Sequence, residues 1–158
     1  MPAGCTIRDA RPDDVDEIVA LIRELAAYER LAGDVRLDPA VLRDHLFGPG
    51  AAASVLIAEV AAEGAPAVAG FALWFPSFST FLGRPGIWLE DLFVRPHHRG
   101  AGIGRSLLEH LRGRTAGRVE WAVLDWNTPA HQFYRALGAR PMQEWTTYRW
   151  DPVARDPS

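Results

Sequence analysis

Two acidic residues stand side by side in a run that is otherwise mostly apolar: Glu90 and Asp91 in GIWLEDLFV, residues 86–94. A carboxylate is costly inside such a strand unless something pairs with it. Strand alternation points the two side chains to opposite faces, so a shared job is not expected of them. Just downstream, Arg99-Gly100-Ala101-Gly102-Ile103-Gly104 places three glycines at every second position, before an apolar run with helical spacing. Glycine weakens helices and adds nothing to strands. Between a strand and a helix it lets the backbone approach a ligand closely, and the helix N-terminus beyond offers unpaired N–H groups and partial positive charge. That chemistry suits a phosphate, and Arg99 can add a charge-assisted contact. The competing reading is a tight turn that binds nothing; three alternating glycines beside an arginine favour the anion site. Further along, Asn127 lies at a strand end and Tyr134 follows seven residues later on a short helix. The asparagine amide can cap that helix, and a phenol can donate a proton.

Three nucleotide-type patterns compete for the glycines. A P-loop requires GxxxxGK[ST], and Arg105 stands where its lysine belongs. A dinucleotide fingerprint read from Gly102 meets Leu107 at its third glycine, and too little chain follows for the usual sheet, although Asp125 falls near the distance of a ribose contact. The third pattern, RxxGxG, fits from Arg99 to Gly104.

The elements that must position these residues are legible. CTIRDA reads as a strand. Val15, Ile18, Val19, Ile22, Leu25 and Ala26 recur at helical spacing to about Arg30, with Pro12 and acidic residues at the start. LDPAVLRDHLF predicts a short helix capped by Asp38. SVLIAEV and AVAGFALWF read as strands joined by the hairpin AAEGAP, and GIWLEDLFV as a third strand. A helix to about Arg114 follows the glycines. RVEWAVL reads as a strand, TPAHQFYRALG as a helix capped by Thr128 and ended by Gly138, and QEWTTYRW as a closing strand. The order βααβββαβαβ predicts an α/β protein around one central mixed sheet, a single domain over residues 1–158.

Composition bounds the partners. Of 158 residues, 48% are hydrophobic and 23% charged, as in globular domains. The formal charge of −3 gives no attraction to nucleic acid or to an anionic membrane. No apolar run is long enough for a membrane span, and no secretory signal pattern is present, so a cytoplasmic location is expected. A single cysteine, Cys5, allows no internal disulfide and argues against a thiolate zinc site. The histidines lack metal-ligand spacing, and no metal is expected. Lysine is absent: all 17 basic residues are arginine.

The RxxGxG loop, the strand WLEDLFV running into it and the segment LDWNTPAHQFYRALGA together resemble the GNAT acetyltransferase superfamily, over nearly the whole chain and in element order. ELAAYE, WLEDLFV, WNTPAHQFYRALGA and a tryptophan shortly afterwards are similar to its diamine/polyamine branch, the spermidine/spermine and thialysine N-acetyltransferases. The resemblance implies a GNAT fold and acetyl-CoA as co-substrate. The N–H groups of residues 99–104 and the following helix, through Arg105, would take the pyrophosphate. The backbone of Leu92, Phe93 and Val94 would pair with the pantetheine arm and supply the donor to the reacting carbonyl. Asn127 would bond the pantetheine.

An alkylamine with a pKa of about 10.4 must lose a proton before attack, at a cost of roughly 4.6 kcal/mol at neutral pH. The resemblance gives Glu90 the task of binding the amine and taking that proton. Asp91 would support it, and Tyr134 would protonate the departing thiolate. Tyr28 and Glu29 match positions beside the amine, and Trp145 an aromatic wall of the substrate site. The chain departs from the polyamine pattern at Gln143, where an acidic residue is usual, and is shorter between Gly138 and Trp145. Both departures point away from long polyamines and leave short diamines, thialysine and other small amines. A homodimer is implied by the resemblance. The rival readings are a non-catalytic acyl-CoA-binding module, a peptide or protein N-acetyltransferase, and a nucleotide-dependent oxidoreductase.

Overall fold

In a computed structural model, which describes residues 4–152, the chain divides into two compact units with the boundary between Leu124 and Asp125. The first unit carries one five-stranded sheet in the order β1-β2-β3-β4-β5. Its strands are β1 (Cys5–Asp9), β2 (Ser54–Val60), β3 (Ala67–Ser79), β4 (Arg84–Val94) and β5 (Val119–Glu120). The first four pair antiparallel; β4 and β5 are parallel, so the sheet is mixed as expected.

Helix α1 (Val15–Tyr28) presents Ile18, Leu21 and Leu25 to one sheet face, where they pack with Leu46, Val55, Ile57, Phe71, Leu73 and Phe93. Full burial of each such side chain is worth about 1.5–3 kcal/mol. Residues alternating with these, Leu56, Ala72 and Leu89, are buried as well and face the other side. There α3 (Ile103–Arg112) packs, with Ile103, Leu107 and Leu111 buried. Helix α2 (Pro39–Phe47) starts where its sequence requires: Asp38 accepts from Ala40 N at 2.8 Å and proline occupies the first turn. Helix α1 ends in a left-handed residue that is not glycine, Arg30 at φ 62°, with Leu31 N bonded to Ala26 O and Arg30 N to Ala27 O.

The second unit contains α4 (Thr128–Ala136), and its cap is Asn127 rather than Thr128. The Asn127 side-chain oxygen accepts from Ala130 N, which leaves Thr128 as the first helical residue. Gly138 follows at φ 87° and closes the helix.

Two expected strands differ. RVEWAVL pairs only at Val119 and Glu120, with Ile87 and Trp88. QEWTTYRW forms no strand at all; Trp145, Tyr148 and Trp150 are exposed. Alternating pattern makes a strand only where a ladder partner exists, and among the described residues none pairs with residues 143–150.

Candidate active site

The site begins at an irregularity in the sheet. Along β3 and β4 the register runs Phe71 to Phe93, Ala72 to Leu92 and Leu73 to Asp91, then jumps to Trp74 opposite Leu89. Glu90 is the extra residue of a β-bulge. A bulge resets the side-chain alternation and increases local twist. Asp91 therefore shares the face of Leu73 and Phe93, the α1 side. Trp88 pairs with Phe75, two residues from Leu73, and so lies on that face too. Its indole Nε1 donates to Glu90 Oε2 at 3.0 Å. Glu90 and Asp91 thus point to the same side, not to opposite sides as regular alternation predicts; the inserted residue is the reason.

The short β5 stops beside the bulge. The last β4–β5 pair, Trp88 with Glu120, lies just before Glu90. The ladder between β4 and β5 ends there, and the edge of Leu92, Phe93 and Val94 on that side carries no strand among the described residues. An unpaired strand edge of this kind can accept an extended amide-bearing ligand.

Electrostatics mark the bulge. Burial first, then the charges of Glu90 and Glu29, push the Asp91 carboxyl from its ordinary 3.8 up to about 7. Glu29, the residue that follows α1 as its C-cap, is raised by burial and by Glu90. Helix α1 thus delivers Tyr28 and Glu29 beside the carboxylate pair of β4. Three acids this close, one of them exposed at Glu90, form a locus of negative potential suited to a cation.

The loop after β4 is a phosphate-type cradle. Arg99 N donates to Pro96 O at 3.2 Å, closing the short turn Pro96–His98. The backbone amide of residue 99 is therefore spent, and the cradle starts at Gly100. Gly100 and Gly102 both sit at φ 79°, a conformation that a side chain resists, which answers why glycine occupies these two positions. Gly104 is the second residue of α3. The first bond of the helical ladder is Ser106 N to Gly102 O at 3.0 Å, so the N–H groups of Ile103, Gly104 and Arg105 precede it. No side chain among the described residues caps this end. Arg105 itself reaches along the helix to Glu109 at 2.7 Å. These features fit a pyrophosphate.

Two arginines flank the Pro96–His98 turn, and both reach α1. Arg95 bonds Glu17 at 2.6 Å, Glu24 at 2.8 Å and Val68 O at 3.0 Å. Arg99 donates from Nε to Val94 O at 2.7 Å, and its guanidinium lies 4.9 Å from the Tyr28 ring centroid and 5.4 Å from that of Phe93. Sequence reading did not single out Arg95 or Trp88. The spacing of Trp88 and Glu90 on one strand was a usable signal for their contact; nothing local announces the partners of Arg95.

In the second unit, Asn127 caps α4, Tyr134 lies in the last turn of that helix with its ring 5.2 Å from that of Phe133, and Trp145 is 74% exposed. Among the described residues, no group of three or more His, Cys, Asp or Glu side chains could hold a metal ion, and no helix is long and apolar enough to cross a membrane.

A mixed five-stranded sheet flanked by helices, a bulged fourth strand, and a glycine cradle at a helix N-terminus define a GNAT-type acyltransferase. The chain belongs to the acetyltransferase (GNAT) family, whose model matches residues 17–139, and it is an acetyltransferase. It is 38% identical to the thialysine N-epsilon-acetyltransferase of Bos taurus, over 94% of this chain and 93% of that one. It is 30% identical to the L-ornithine N5-acetyltransferase of Arabidopsis thaliana, over 90% of this chain and 82% of the other. Among solved structures, an integron cassette protein from Vibrio cholerae matches with a TM-score of 0.75 at 25% identity, covering 95% of this chain and 94% of that one. A possible acetyltransferase from Clostridium difficile 630 has the same fold, with a TM-score of 0.74 at 19% identity, over 95% and 99% of the two chains.

Proposed function

We propose that this protein transfers the acetyl group of acetyl-CoA to a primary amine of a small cationic substrate. The class we favour is the side-chain amine of a short basic amino acid, such as thialysine or ornithine, or a short diamine. The observation that carries the reading is the acidic locus of Glu29, Glu90 and Asp91 at the bulge of β4, beside an open strand edge that leads into the glycine cradle. The names of the relatives support the amine class, and Gln143 with the short segment before Trp145 argues against long polyamines.

Acetyl-CoA supplies the acyl group in activated thioester form. The N–H groups of Gly100, Ala101, Gly102, Ile103, Gly104 and Arg105 would hold its pyrophosphate, with Arg99 setting the loop. Leu92, Phe93 and Val94 would pair with its amide arm, and a backbone N–H near Leu92 would stabilise charge on the reacting oxygen. Glu90 receives the ammonium group. Glu90 takes its proton, and Asp91, whose carboxyl burial and its acidic neighbours push up to about 7, supports it. The neutral amine then attacks, the carbon–nitrogen bond forms as the carbon–sulfur bond breaks, Tyr134 gives its phenolic proton to the departing sulfur, and the surplus proton shed by the new amide nitrogen restores the phenol. Direct attack is favoured over an acetyl-cysteine route because Cys5 is buried in β1, and burial raises its thiol. Tyr28, Glu29 and Trp145 would border the amine, and Asn127 the pantetheine. The protein would work in the cytoplasm as a homodimer.

The test is free-thiol release from acetyl-CoA across putrescine, spermidine, thialysine, lysine, ornithine, monoamines and short peptides. Turnover confined to small diamines or basic amino acids is expected. Turnover with peptides alone, or none with any amine while CoA still raises the melting temperature, would overturn the reading.

A further inference from the structure

The guanidinium of Arg99 does not project freely from the cradle. Its Nε donates to Val94 O at 2.7 Å, and its central carbon lies over the Tyr28 ring at 4.9 Å and over the Phe93 ring at 5.4 Å from their centroids. Val94 ends β4, and Tyr28 ends α1, one residue before Glu29. A single side chain therefore joins the backbone that enters the glycine loop to the helix end that carries Tyr28 and Glu29. Arg95, on the other side of the Pro96–His98 turn, is bonded to Glu17 and Glu24 of the same helix. Glu17, Glu24 and Tyr28 lie seven and four residues apart, on one stripe of α1. The turn is thus held to α1 at both of its ends, one contact an ion pair and the other an arginine–aromatic stack.

We infer that Arg99 is a positioning residue that couples the phosphate loop to the amine side of the site through Tyr28. It rests on the proposed function above. With the arginine stacked, Gly100–Gly104 are held in the cradle conformation and the end of α1 is held over β4. A ligand that orders the loop orders Tyr28 and Glu29 as well. By linkage, any factor by which CoA improves amine affinity is returned by the amine to CoA.

The experiment is a double-mutant cycle on CoA affinity, measured calorimetrically with the full chain. Tyr28→Phe keeps the ring and is expected to bind CoA more tightly than Tyr28→Leu. Tyr28→Leu removes the ring, lies outside the phosphate loop, and is expected to weaken CoA binding by about threefold, the scale of one exposed arginine–aromatic contact. Arg99→Met should weaken it further, and the pair Tyr28→Leu with Arg99→Met should bind no worse than Arg99→Met alone. Separate structural roles would give additive losses instead. Additive losses, or a Tyr28→Leu protein with wild-type CoA affinity, would overturn the inference. Wild-type protein that fails to bind CoA would overturn the proposed function itself.

Discussion

Glu90 takes a hydrogen bond from the indole of Trp88, two residues earlier on the same strand, at 3.0 Å. The bond aims one oxygen of the bulge carboxylate and leaves the other for a substrate. Replacing Trp88 by phenylalanine keeps an aromatic ring beside Phe75 and removes the donor. A hydrogen bond to a charged group at an exposed site is worth about 1–1.5 kcal/mol, so KM for the amine should rise about fivefold to tenfold. CoA binding should not change. Steady-state kinetics on Trp88→Phe, with a calorimetric CoA titration as control, checks both; an unchanged amine KM would show that the indole does not orient Glu90.

Asp91 has a carboxyl raised from 3.8 to about 7 by burial and by its acidic neighbours. Between these two values the folded protein keeps a proton that the unfolded chain has lost. Stability from this group is therefore fully present at acid pH and falls as pH rises through about 7. Asn at this position has no such slope. The melting temperature of Asp91→Asn relative to wild type should climb as pH is raised from about 4 to about 8 and then level off. A flat difference across that range would mean that Asp91 titrates normally.

Gly102 sits at φ 79° as the residue that caps α3. A Cβ there costs about 1–2 kcal/mol of backbone strain and crowds the approach of a phosphate. Gly102→Val should lower stability by that order in urea unfolding and weaken CoA binding measurably. An unchanged dissociation constant would remove the loop from the cofactor site.

Tyr134 lies in the last turn of α4. If its hydroxyl protonates the leaving thiolate, Tyr134→Phe should lose about 10²–10⁴-fold in turnover, the usual contribution of a positioned acid. Binding of acetyl-CoA should remain close to wild type. Turnover retained at neutral and mildly acid pH would take Tyr134 out of that role.

Much of this architecture is local information. The 3.6-residue apolar stripe of α1, the Asp38–Pro39 start of α2, the glycines flanking α3 and α4, and the run of β2 each rest on neighbours within a few positions. The pattern of residues therefore states them, and the order of elements up to α4 follows. The glycine cradle was legible for the same reason: left-handed φ at Gly100 and Gly102 is a requirement on single residues.

The tertiary structure decided what depends on the register between distant strands. Strand period assigns Glu90 and Asp91 to opposite faces; the bulge opposite Leu73 and Trp74 puts both on the α1 side, and no residue within β4 announces it. The ladder of β5 also stops after Glu120, beside the bulge, although RVEWAVL continues beyond it. Arg99 was legible as a cation beside a phosphate loop, but its contact with Tyr28 joins residues far apart along the chain. Sequence by itself determined which residue types stand near one another along the chain. Only the pairing of β3 with β4, and the packing of α1 upon them, determined which of those groups share a face, because register and packing are set by the whole sheet at once.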